Sequence, residues 1–209
     1  MELIESFVEV VEKQAEESTN RYKEQKETYV EEEYSEEKCA RVVDVHQGLD
    51  NETWDIESIF MEYFPSLQRR SALLTVYGYF EHELDKLCLL YQSEKLFRLN
   101  LSDLNGKGVE RSINYLEKVA GIDASKKSKE WNHIKRIQKI RNVIVHQDGK
   151  LNDHQGNPRK EVIDYINHMD SLSGNTEVIL HKGFLNHVVS TFNDYFRLLG
   201  NAIEKSEQT

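Results

Sequence analysis

The clearest pattern of apolar positions lies mid-chain, where Leu73, Tyr77, Phe80, Leu84, Leu87 and Tyr91 recur at intervals of 4, 3, 4, 3 and 4. This is one face of an α-helix, and it predicts a helix over about 67–98, long enough to be the central member of a bundle. Upstream, Leu3, Phe7, Val11, Ala15, Tyr22 and Tyr29 form a thinner stripe at helical spacing, which predicts a long amphipathic helix through about the first 37 residues. WDIESIFMEYF (54–64) reads as a short helix closed by Pro65, a residue that cannot extend a helix without losing a hydrogen bond. Downstream, Val109, Ile113, Leu116 and Val119 predict a helix over about 109–120, stopped by Gly121. Another runs from near Ser128 through WNHIKRIQKIRNVIVH to an Asp148-Gly149 turn. Asn157-Pro158 reads as an N-cap followed by a first-turn proline, opening EVIDYINHMDSL. TEVIL (176–180) is β-branched but short, an extended link or edge strand, and Leu185, Val188, Phe192, Phe196, Leu199 and Ile203 mark a last helix over about 183–205. With no repeat and no low-complexity linker, the expected fold is all-α: one domain, a bundle of six or seven helices. In it, residues 1–50 form an acidic helix and linker packed on a body of 51–209.

Composition supports helices. Gly and Pro together are 12 of 209 residues, about half the ordinary share of roughly 12%, too few for turn-rich sandwiches or propellers. The net charge of −10 argues against a protein that coats nucleic acid with its whole surface. Most of that charge is local: the first 38 residues hold 13 acids against 5 bases. No apolar run is long enough to span a bilayer. The N-terminus carries glutamates where a signal peptide would carry basic residues and an apolar run. Cys39 and Cys88 are too few for a disulfide framework. The expectation is a cytoplasmic protein with no membrane contact, in which the sequons at Asn51 and Asn100 are chance matches.

Against this acidic background one segment is basic. Lys126, Lys127, Lys129, Lys135, Arg136, Lys139 and Arg141, opposed only by Glu130, give +6 across sixteen residues. At 100° per residue, Ile134, Ile137, Ile140, Ile144 and Val145 form the buried side of the 131–146 helix, and Lys135, Lys139, Asn142 and His146 line the other. That second stripe is either a solvated basic face or a track that holds a phosphodiester against a titratable imidazole. Arg141 falls on the apolar arc, where a guanidinium needs a partner or a cavity. Glu81, flanking the apolar stripe of the central helix, is the expected partner, since Glu83 and Asp85 point further out.

RNVIVH (141–146) resembles the Arg-x4-His motif of the HEPN superfamily (higher eukaryotes and prokaryotes nucleotide-binding), in which a polar residue such as Asn142 commonly follows the arginine. SALLTVYGYFEHELDKLC resembles the central helix packed beside that motif, with an acid at a place like Glu81. The likeness spans roughly 55–200 as an architecture, and its specific part is six residues plus Glu81. It implies a metal-independent endoribonuclease with no cofactor, working as a homodimer in which two motif helices face each other and form a composite site. His146 would move a proton, Arg141 would stabilise charge on phosphate oxygens, Asn142 would orient the imidazole or bind phosphate, and Glu81 would hold Arg141. Lys135, Lys139 and Arg136 would contact RNA. A toxin or phage-defence role, with an antitoxin or defence partner protein, is implied by analogy. The alternative is a non-catalytic module of the same kind that binds RNA, a nucleotide or a protein partner.

Arg41 to His46, RVVDVH, has the same bare spacing. It lacks the polar second position and the basic lead-in, so the second copy is the candidate. Glu130-x-x-His133 has the spacing of di-iron bundles, which need the motif twice, and no second copy is present. Neither a Walker A loop nor a Gly-x-Ser-x-Gly elbow occurs.

Overall fold

The computed structural model describes residues 2–33 and 39–208. The chain is mostly helical. In order it forms α1 (Glu2–Gln25), strands β1 (Glu27–Glu33), β2 (Cys39–His46) and β3 (Leu49–Asp50), a single turn α2 (Ile56–Ser58), a π-turn (Ile59–Tyr63) and α3 (Phe64–Lys95). After a 3-10 turn (Leu101–Asp103) come α4 (Gly108–Lys118), α5 (Lys129–Gln147), α6 (Lys160–Asn167), the short strands β4 (Leu172–Ser173) and β5 (Ile179–Leu180), and α7 (Phe184–Glu207).

α3 is the axis. Its 32 residues span about 48 Å at 1.5 Å per residue, and α1, α4, α5 and α7 all pack against it. Leu73, Val76, Tyr77, Phe80 and Leu84 are buried along it, and Phe80 stacks on Phe192 of α7 with ring centroids 4.0 Å apart. A helix in contact with neighbours on several sides is buried on several sides, so Arg69 and Arg70 are also inside. Arg69 donates from Nε (3.0 Å) and Nη2 (2.9 Å) to Glu12 Oε2 of α1, and from Nη1 to the Leu180 carbonyl of β5 at 3.4 Å. The same guanidinium therefore fastens α1 and β5 to the central helix.

Two expectations need correction. The N-terminal helix does not continue into the mid-thirties: it ends at Gln25, and Glu27–Glu33 and Cys39–His46 are strands paired antiparallel. Thr28, Tyr29 and Val30 pair antiparallel with Asp44, Val43 and Val42, and β-branched and aromatic side chains suit a pleated strand better than a helix. Positions 34–38, which fell inside the expected helix, lie outside the described residues. The hairpin is extended to β3 by a two-residue loop, Gln47-Gly48, with φ of +51° and +80°, the twist-matched form favoured between antiparallel strands. Second, Pro65 does not close the helix before it. The chain passes from α2 through the π-turn into α3 without a break. The Phe64 N–H reaches back five residues to the Ile59 carbonyl, a widened turn just where a proline ring would crowd the carbonyl of the preceding turn.

Smaller differences follow from local hydrogen bonding. Asn157 does not cap α6; Arg159 stands at its N-cap, and the Asn157 backbone N–H instead closes a turn on Asp153 Oδ1 at 2.9 Å. Of TEVIL only Ile179–Leu180 is a strand, paired with Leu172–Ser173. No helix of the described residues is long and apolar enough to cross a membrane.

Candidate nucleic-acid interface

The candidate residues sit on α5, and both ends of that helix are fixed. At its start the Ser128 hydroxyl accepts the Trp131 N–H at 3.1 Å, an ordinary N-cap. Just upstream, the Tyr195 hydroxyl of α7 donates to the Ala124 carbonyl at 2.6 Å. At its end Asp148 and Gly149 turn left-handed, φ +53° and +80°, and the Gly149 N–H returns to the Val143 carbonyl at 3.1 Å. Arg70 of α3 holds this turn in place. It donates from Nε to the Val178 carbonyl (3.1 Å), from Nη2 to Glu177 (3.0 Å) and from Nη1 to the Asp148 carbonyl (3.5 Å). A side chain at 149 would come within 3.0 Å of the guanidinium, so glycine is needed there for space as well as for φ. Arg70 thus sets where the last turn of α5, with His146 on it, stands. The sequence carried a signal for it: the stripe of Leu73, Tyr77 and Phe80 continues backwards onto Arg70 at helical spacing, an arginine on an apolar face.

The buried side of α5 is Trp131, Ile134, Ile137, Ile140 and Val143, with Ile144 partly covered. Val145, expected inside, is 43% exposed and Val143 takes its place. On the outer side, His146 is exposed and makes no hydrogen bond among the described residues. Asn142, one turn before it, is also exposed, and its Oδ1 accepts from Arg141 Nη1 at 3.0 Å.

Arg141 is half-buried. Its guanidinium carbon lies 5.7 Å from the centre of the buried Tyr77 ring, a cation–π contact, and its Nε is buried without a hydrogen-bond partner among the described residues. The expected Arg141–Glu81 ion pair does not form: no nitrogen–oxygen distance between them is within 4.0 Å. Glu81 serves another helix. Lys107 at the N-cap of α4 offers no side-chain cap, and the Glu81 carboxylate stands at that end instead, its Oε1 close against Gly108, placing negative charge at the helix N-terminus. Gly108 makes room, since a Cβ there would collide with Glu81 Oε1. Burial raises the Glu81 pKa above the usual carboxylate value, while the charge of Arg141 and the Val109 N–H pull the other way. The two groups therefore feel each other electrostatically without touching.

The basic stripe is not open. Lys135 is hydrogen-bonded to Glu110 of α4 and to Gln138 Oε1 (2.8 Å), and Lys139 to Glu161 of α6. Arg136 lies 5.7 Å over the Tyr165 ring. A groove between α5 and α6 runs past Lys139 and Asn142 and is lined on its far wall by Arg159 and Lys160, which sequence reasoning did not single out. Behind it, His133 and His187 meet edge to face at 5.4 Å, and the Tyr165 hydroxyl is 3.4 Å from His187 Nε2. Burial, and then His133, hold the His187 imidazole below its usual pKa.

The second spacing match lies elsewhere. Arg41 and His46 are on strand β2, where residues five apart point to opposite faces. His46 is 4% exposed, edge-on to Phe60 at 4.6 Å and to Tyr22 at 5.1 Å. Arg41 is paired with Glu52. Among the described residues no group of three or more His, Cys, Asp or Glu side chains could hold a metal ion. Comparison of the chain with family models, curated proteins and solved structures finds no match in any of the three.

Proposed function

We propose that the chain is a metal-independent endoribonuclease that cleaves at the exposed end of α5. The observation that carries this reading is the combination on two helical turns of a solvent-facing imidazole, His146, and a guanidinium, Arg141, whose Nε lacks a partner. In the proposed step the RNA 2′-oxygen bonds to the adjacent phosphorus and the P–O5′ bond breaks. The 2′-OH proton passes to the His146 imidazole, and the departing 5′-oxygen takes a proton from solvent or a second imidazole. Arg141 supplies a fork of donors to the non-bridging oxygens, and Asn142 keeps that fork turned outward. Lys135, Lys139 and Arg136 hold the flanking backbone, with the two lysines exchanging Glu110 and Glu161 for phosphates. Two copies presenting α5 to each other would bring two such sets to one scissile bond, and a toxin or phage-defence effector with an antitoxin partner follows from the HEPN resemblance.

A second reading, a non-catalytic module that binds RNA, a nucleotide or a protein, is favoured by one observation: both lysines of the stripe already hold carboxylates of their own chain. Incubation of the purified chain with mixed cellular RNA in excess EDTA, with mapping of new ends, separates the two. New ends bearing cyclic phosphates support cleavage; binding without new ends supports the module; cleavage that appears only with added Mg²⁺ or Mn²⁺ overturns the metal-independent site.

A further inference from the structure

The side of α3 that faces away from α5 carries a pattern that the cleavage reading does not use. Tyr77 and Glu81 point toward α5 and α4. At 100° per residue, Tyr79, Glu83, Lys86 and Leu90 cluster within about 60° of arc on nearly the opposite side. Together with Leu87 and Phe196 of α7 they line an open groove of about 540 Å³. Leu90 is 52% exposed in it, while Leu87 and Phe196 are partly covered and packed on the core. Glu83 and Lys86 form an ion pair on its rim at 2.7 Å.

The four stripe residues are spaced 4, 3 and 4, so the spacing is the same read from either end. Reversal exchanges Tyr79 with Leu90 and Glu83 with Lys86. That is the requirement of a two-fold contact, in which the same patch meets itself and each residue faces its counterpart. An antiparallel copy of α3, related by an axis passing between residues 84 and 85, sets Leu90 of each chain against Tyr79 of the other and Glu83 of each against Lys86 of the other. A patch with an acid and a base at interchangeable positions is complementary in charge to itself, and the exposed leucine has an aromatic wall waiting for it.

We propose that this groove is occupied by a second copy of the chain, with α3 packed antiparallel on α3 of its partner. Each Leu90 enters the other copy's groove, and the two in-chain Glu83–Lys86 pairs gain matching cross-chain pairs. The contact is independent of the cleavage reading: it lies on the far side of α3 from Arg141, so α5 stays open for RNA, a partner protein or another copy.

The test is light scattering on the full-length chain at micromolar concentration. Glu83→Lys puts two lysines opposite two lysines, Lys86→Glu puts two glutamates opposite two glutamates, and each alone should halve the wild-type mass. Mixed in equal amounts, the two variants complement one another and should recover the wild-type mass as a mixed assembly that neither forms by itself. Leu90→Glu should also halve the mass. Its melting temperature in dilute solution should stay close to that of the charge variants, because the side chain is half in solvent. A wild-type chain that runs only at 24.5 kDa, charge variants that keep the wild-type mass, or a mixture that fails to recover it would each overturn the proposal. RNA cleavage or binding by the Leu90→Glu variant is read separately and reports only on the α5 site.

Discussion

At the foot of the hairpin, a histidine five residues after an arginine lies with its ring edge-on to Tyr22 and Phe60; at the end of α5 the same interval leaves the histidine in solvent. The interval is identical and the backbone is not. On a strand, five residues place Arg41 and His46 on opposite faces, so the arginine turns out to Glu52 and the imidazole turns into a small aromatic cluster. On a helix, five residues are about 140° apart, so Arg141 can lean over the Tyr77 ring while His146 remains outside. The comparison teaches that a spacing motif has chemical meaning only with its element. It also separates two settings of histidine: one packed among aromatic rings and one exposed at the end of a helix.

The widest separation between the two sites should come from rates. His146→Ala is expected to lower single-turnover RNA cleavage by about 10²–10⁴ with melting temperature unchanged, while Arg41→Ala leaves the rate alone. Normal cleavage by His146→Ala would end the assignment. Next comes the clamp that positions the α5 terminus. Arg70→Met removes a buried guanidinium from Glu177 and two backbone carbonyls, and should cost about 3–5 kcal/mol of stability by urea unfolding, with amide exchange increasing first in residues 147–150. His46→Ala should sharpen the contrast from the other side, losing about 2–4 kcal/mol through the cavity and the lost ring contacts. Cleavage per folded molecule should be unaffected.

Smaller effects test Arg141 and the histidine pair. Arg141→Ala should cost only about 0.5–2 kcal/mol of stability, because Glu81 stands at the α4 N-terminus and makes no ion pair with it; a loss as large as that of Arg70→Met would mean the two charges are paired after all. For His187, whose pKa burial and then His133 hold below the usual imidazole value, the unfolded chain takes up the proton before the folded one does. Stability is therefore complete above about pH 6.5, the ordinary value for an imidazole, and declines as the pH falls below it. His187→Gln should flatten that slope in thermal melts.

The sequence read the helices well where burial has a single direction. The stripes on α3, α4 and α7 are those the structure buries, from Leu73 to Leu84, Val109 to Leu116 and Leu185 to Leu199. It read poorly where local preference and tertiary packing disagree. A run rich in glutamate suits a helix by propensity, yet Thr28, Tyr29 and Val30 had three valines of β2 to help complete a sheet, a pairing partner that a helical wheel does not consider. Val143 and Val145 are two residues apart, about 160° around the helix, and which of them is covered depends on where the neighbouring helices stand. For the site, the chain order alone placed Arg141, Asn142 and His146 together, because four- and five-residue intervals on a helix bring them to neighbouring turns. Everything held at a distance was decided by the fold. Glu81 turned to the bare N-terminus of α4, Lys135 and Lys139 found carboxylates on α4 and α6, and Arg70 reached 78 residues along the chain to the Asp148 carbonyl. The physical reason is that helix periodicity fixes angles within one element, whereas the choice of partner for a charge depends on which other element ends within reach of it.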